Sequence, residues 1–163
     1  MAAPATAQSA APAKFTTAEL IQHGVPSSLA SSLQRLGVPV FKGDATVAVC
    51  RRERFPFLAG YNRRYNSMIV CLNNAKTSQI PELIAHESIH LAQDCSTGLS
   101  NDSVRTIDTD PAKAFRMLDP SERELIVHAY DPDQWFLEGE AFLAQRYPDL
   151  VSDVVDARCP LNR

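Results

Sequence analysis

Residues 67–95 read SMIVCLNNAKTSQIPELIAHESIHLAQDC, and their character changes once. Ser67 to Asn73 is a short apolar run with the composition of a strand packed on a core. From Thr77 the pattern turns helical: Ser78 can cap, Pro81 is tolerated in a first turn, and apolar positions continue to Cys95. Within that helix His86-Glu87-Ser88-Ile89-His90 spells HExxH. Histidines four apart share a helix face one turn above the other, so both imidazoles can reach one metal ion. Glu87 then lies at the edge of that face, where it can take a proton from a metal-activated water and return it to a leaving group.

Toward the amino terminus, Thr16 and Glu19 form a capping-box signal, and Gly24 stops a short helix over 17–23. Leu29, Leu33 and Leu36 recur at helical spacing after Pro26 and Ser27, with Gly37 closing a second helix. Residues 38–42 and 45–51 predict a hairpin about Gly43-Asp44. Phe55 to Tyr61 and Ser67 to Asn73 predict two further extended runs around residues 62–66. The expected sheet is small and mainly antiparallel.

Toward the carboxy terminus the pattern stays helical after a polar, turn-rich loop over 96–110. Helices are predicted over 111–118, over 122–130 with Ser121 and Glu124 as capping box, and over 132–147 with Asp131, Pro132 and Gln134 at its start. Asp149 to Cys159 predicts a last helix. The fold class is α+β, with a helical carboxy-terminal half and no internal repeat.

The chain has 163 residues, 45% of them hydrophobic and 21% charged, which is enough for one sizeable core and short for two ordinary domains. No apolar run reaches the roughly 18 to 20 residues of a membrane span. The net charge of -3 gives no overall positive field for nucleic acid, so such a partner would need a local patch. Cys50, Cys71, Cys95 and Cys159 form no C-x-x-C pair, which argues against a zinc ribbon or a thioredoxin-like motif. Their even number permits two disulfides, and pairing 50 with 71 and 95 with 159 is one of three connectivities; small buried thiols are the alternative. Residues 1–15 predict a flexible Ala- and Pro-rich tail without the basic start and apolar middle of a secretory signal. A cytoplasmic home follows if Met1 is the native start, and export if a signal once preceded it.

A shuffled chain with four histidines would contain HExxH in about 0.4% of cases, so the motif is read as chemistry. A strand followed by a helix bearing HExxH resembles the zincin metallopeptidases, and AHESIHLAQDC has their small and apolar residues around the ligands. The resemblance covers about Tyr61 to Gln145 and implies a single zincin-like domain over 16–163. The metzincin pattern is disfavoured, because Ser96 stands where its third histidine belongs. Instead WFLEGEAFLAQ at 135–145 resembles the helix by which gluzincins supply a glutamate ligand, which points to Glu138 or Glu140. By the family pattern the ligand is Glu138, the alanine that follows is Ala141, and Phe142 occupies the position of an Asp or Asn that braces a histidine. Either Asp94, Asp131 or Asp133 supplies that brace, or the register shifts and Glu140 binds the metal.

The resemblance implies one Zn²⁺ per chain on His86, His90 and that glutamate, Glu87 as general base and acid, and a peptide or protein substrate. It also implies that the substrate main chain adds to strand 67–73 or its neighbour, with Tyr130 or His128 as candidates to stabilise an oxyanion. Two other readings stand beside it. One is a zinc-binding regulatory or interaction module with little activity. The other is a nucleic-acid or phosphoprotein binder using Arg51, Arg52, Arg54, Arg63 and Arg64, interleaved with Phe55, Phe57, Tyr61 and Tyr65; a solvated hairpin explains these residues more simply. Asp102, Asp108 and Asp110 lack EF-hand spacing.

Overall fold

The computed structural model describes residues 11–51, 56–98 and 104–160. Its chain order is α1 (Thr17–Gln22), α2 (Ser27–Arg35), β1 (Val40–Gly43), β2 (Ala59–Asn62), β3 (Ser67–Cys71), α3 (Ile80–Cys95), α4 (Lys113–Met117), α5 (Pro120–Ala129), α6 (Trp135–Ala144) and α7 (Pro148–Arg158). This is an α+β arrangement with the helices gathered in the carboxy-terminal half.

β3 is the central strand, in the order β1-β3-β2, as befits the most apolar of the three. It pairs antiparallel with β2 and parallel with β1, so the sheet is mixed. The outer edge of β1 is covered: the Phe15 amide donates to the Val40 carbonyl at 2.8 Å and the Lys42 amide to the Ala13 carbonyl at 2.7 Å. Among the described residues β2 is therefore left as the edge strand. Its turn into β3 runs through a 3-10 segment, Arg63–Tyr65, and closes at Asn66 with φ 45°, a left-handed conformation that asparagine tolerates.

The expected hairpin of 38–42 with 45–51 does not form. The Asp44 carboxylate accepts from the Thr46 amide at 2.7 Å and from its hydroxyl at 2.6 Å, and this local turn leads into a 3-10 segment, Ala48–Arg51. That segment folds over the end of β1, where a Cβ on Gly43 would lie 2.5 Å from Cys50 Sγ. Cys50 is bonded to Cys71 and Cys95 to Cys159, and all four are buried.

Helix starts follow local chemistry with three departures. α1 carries the Thr16–Glu19 capping box. α3 begins after a 3-10 turn, Thr77–Gln79, in which the Lys76 amide donates to Gln79 Oε1 at 2.9 Å, so Ser78 does not cap it. α5 uses Asp119 and Glu122 rather than Ser121 and Glu124. Both pairs fit the pattern, but Pro120 has its φ preset for the first helical position and selects the earlier start. α6 begins at Trp135 without the Asp131 box; residues 132–134 form a turn, and Trp135 Nε1 donates to the Tyr130 carbonyl at 3.0 Å.

The core runs along α3, whose residues Ile80, Ile84, Ala85, Ile89, Leu91 and Ala92 join Leu29 and Leu33 of α2, Met68 and Val70 of β3, and Val151 and Val155 of α7. α3 thus packs against the sheet on one side and against α6 and α7 on another. Among the described residues no helix is long and apolar enough to cross a membrane.

Candidate metal centre

Because α3 is buried nearly all round, its polar residues must find partners inside the protein. His86 and His90 project from one face, and α6 lies across from them. α6 comes close to α4 at Gly139: a Cβ there would lie 3.0 Å from Phe115 Cβ and 3.1 Å from its backbone nitrogen. α6 thus lies against α4 on one side, while its Glu138 meets the two histidines of α3 on another.

His86 Nε2 and His90 Nε2 stand 3.2 Å apart. Glu138 Oε2 is 3.3 Å from the first, and Oε1 is 3.4 Å from the second. An ion bound tetrahedrally at about 2.0–2.1 Å from each donor needs donors about 3.3–3.4 Å apart. Each imidazole nitrogen has the other imidazole and one carboxylate oxygen near that spacing, the two histidines facing different oxygens, and one ligand atom from each of the three residues lies within 4.8 Å of the others. Glu138 Oε2 is also buried without a hydrogen-bond partner, alone in this among the described residues. An orphaned carboxylate oxygen 3.3 Å from one imidazole nitrogen, on a carboxylate that faces two imidazoles, fits a cation. The His86, His90 and Glu138 cluster could therefore hold a metal ion.

The electrostatics agree with tight coupling. Burial pushes the Glu138 carboxyl up, but His86 and His90 beside it prevail and hold it down at about 2. Burial also opposes charge on His90, yet the Glu138 carboxylate outweighs this and raises the imidazole to about 9, with Glu87 adding to the effect. Burial, then the charges of Glu138 and Glu87, push the Tyr130 hydroxyl well above its ordinary range. Glu87 itself is buried on α3.

Glu140 plays a different part. Its carboxylate accepts from the Ile107 amide and the Asp108 amide, each at 2.8 Å, and from Gln93 Nε2 at 2.9 Å. The histidines are braced by neither Asp94, Asp131 nor Asp133. His86 Nδ1 lies 3.1 Å from Gln145 Oε1, and His90 Nδ1 lies 2.9 Å from Gln93 Oε1. Phe142 packs edge-on against His86 with ring centroids 5.1 Å apart. Both glutamines could have been found from spacing: Gln93 is three residues beyond His90, and Gln145 is seven, two helical turns, beyond Glu138.

Asp94 instead receives the Tyr61 hydroxyl at 2.9 Å and Arg63 Nε at 3.1 Å. These two residues of the β2 side, with His90, Val104, Asp133, Gln134, Leu137 and Glu138, line a cleft of about 510 Å³ that opens beside the triad. His128 is not brought to it: its ring faces the Glu124 carbonyl at 2.8 Å on exposed α5. The arginine cluster is divided, with Arg63 committed to Asp94 and Arg64 lying over the Tyr65 ring. Arg52, Arg54 and Phe55 fall outside the described residues, as does Asp102, while Asp108 and Asp110 pair with Lys113 and Arg116.

No family model matches the chain, and no curated protein or solved structure matches it. Function must be argued from the site.

Proposed function

We propose that this protein is a zinc-dependent hydrolase of peptide bonds, similar in its chemistry to the gluzincins. The observation that carries the reading is the triad itself: two histidines of an HExxH helix and Glu138, their ligand atoms within 4.8 Å of one another beside an open cleft. Two imidazoles and one carboxylate are a donor set that suits zinc and leaves a coordination position for substrate or water. Bound there, zinc supplies Lewis acidity, polarising a carbonyl and lowering the pKa of water toward neutrality.

The chain's own residues do the rest. Glu87, on the same helix face, accepts the proton of the attacking water and delivers it to the amine nitrogen as the C–N bond breaks. Tyr130 keeps its proton at working pH, so its hydroxyl can donate a hydrogen bond to the developing oxyanion. The edge strand β2, whose Tyr61 borders the cleft, can receive a substrate main chain by strand addition. Two buried disulfides suit work in an oxidising environment.

The test is elemental analysis paired with a peptide-library cleavage assay. Wild type should hold about one zinc per chain and His86→Ala should lose it. Glu87→Gln should keep the metal while cleavage falls by about 10²- to 10⁴-fold. Stoichiometric zinc with no cleavage in any library would replace this reading with that of a metal-binding interaction module.

A further inference from the structure

Gln93 is fully buried, and neither ligation nor proton transfer accounts for it. Its amide nitrogen donates to the Leu137 carbonyl at 3.0 Å and to Glu140 Oε2 at 2.9 Å. A carbonyl and a carboxylate can only accept, so this orientation of the amide is fixed by its partners. Its oxygen is thereby turned to His90 Nδ1, 2.9 Å away. An oxygen can only accept from that ring, so the proton of a neutral His90 is held on Nδ1 and the lone pair of Nε2 is aimed at His86 and Glu138. At its other end, Glu140 accepts the Ile107 and Asp108 amides, which seats residues 104–110 on α6. Three buried or half-buried links therefore join a loop backbone to a metal-facing nitrogen.

We propose that Gln93 and Glu140 are positioning residues for the metal, a relay through which the seating of residues 104–110 and the affinity of the site for zinc depend on one another. The proposal rests on the reading that the triad holds a metal. Its logic is reciprocal: if a seated loop favours the His90 tautomer that binds zinc, zinc must favour the seated loop by the same factor. It also gives Glu140 a reason to be buried as a carboxylate, since in either orientation an amide there would set its NH₂ against a donor, the Asp108 amide or the Ile107 and Gln93 nitrogens.

The experiment measures zinc affinity by chelator competition in full-length wild type, Gln93→Leu and Glu140→Gln. Amide hydrogen exchange at Ile107 and Asp108 is read in the same chains with and without zinc. Both variants should bind zinc about 10- to 100-fold more weakly. Zinc should slow exchange at Ile107 and Asp108 about 5- to 100-fold in wild type and much less in Gln93→Leu. Should Gln93→Leu fail to fold, Glu140→Gln, which conserves volume, carries both readouts. Folded variants with wild-type affinity, or exchange at residues 107 and 108 indifferent to zinc, would overturn the relay while leaving the metal site intact. Wild type that takes up no zinc at neutral pH would overturn the metal reading and the relay with it.

Discussion

Asp94 has no solvent exposure, and its two oxygens are answered from different places: Oδ2 by the Tyr61 hydroxyl and Oδ1 by Arg63. Burial and the Asp94 charge together push the Tyr61 hydroxyl above its ordinary range, so the phenol remains a donor throughout the working pH range. Asp94→Ala removes the acceptor for a half-buried arginine, whose side chain is 38% exposed, and for a largely buried phenol that keeps Asn66 as a second partner. Because solvent screens Arg63, the loss should fall below that for a fully buried pair, at about 2–3 kcal/mol by urea unfolding. An unchanged midpoint would mean that α3 holds the β2 side by packing alone. The sequence presents Asp94 as a candidate brace for a ligand histidine, and its spacing allows that. Only the position of β2 over the last turn of α3 assigns it to Tyr61 and Arg63. The choice between Glu138 and Glu140 was hidden for a related reason. Residues two apart point to nearly opposite faces of a helix, and both faces of α6 are buried, so hydrophobic pattern cannot tell which one looks at α3.

At the scale of elements, the well-read helices are those whose ends are set by their own residues, and α1 shows what such an end contributes. Glu19 bonds the Thr16 amide at 2.8 Å and Lys42 Nζ at 2.6 Å, tying α1 to β1. The Lys42 ammonium and then the Thr16 amide hold its carboxyl down at about 2, against 4.5 for a free group. A depressed carboxyl stabilises the fold above the unfolded value and loses that contribution as pH falls through the folded one. Stability should therefore decline between about pH 4.5 and 2, and Glu19→Gln should flatten that part of the acid limb in thermal melts. A variant with the wild-type acid profile would place the titrating groups elsewhere. The misread hairpin at 38–51 is the counterpart: its β-branched residues fit a strand, but Asp44 turns the chain and Cys50 is drawn to Cys71, a partner 21 residues away. Gly139 makes a similar point for α6. Nothing local calls for a glycine there, and the cause is the Phe115 backbone of α4, which cannot give way as a flexible side chain would. Gly139→Ala should cost about 1–3 kcal/mol and, through the displaced Glu138, weaken retention of the proposed metal, measurable by denaturation and by chelator competition.

Across the whole molecule, α3 is held at both ends by chemistry far away in sequence. Its HExxH turns face Glu138, and its last residue, Cys95, is bonded to Cys159 at the end of α7, 64 residues on. Closing a loop of that length removes unfolded-chain entropy worth about 4 kcal/mol, against about 3 kcal/mol for the 21-residue loop of Cys50 and Cys71. The two bridges also differ in what they hold. Cys50–Cys71 fastens the end of the sheet, remote from the triad, whereas Cys95–Cys159 fixes the turn of α3 that follows His90 and Asp94. Replacing Cys95 and Cys159 together by alanine should therefore lower stability by about 4 kcal/mol and also weaken binding at the proposed zinc site. The corresponding change at Cys50 and Cys71 should lower stability by about 3 kcal/mol and leave affinity near wild type. Equal effects of the two pairs on zinc affinity would mean that the site senses global stability alone. An effect confined to the 95–159 pair would mean that the carboxy-terminal helix, through one covalent link, sets the geometry of the metal face.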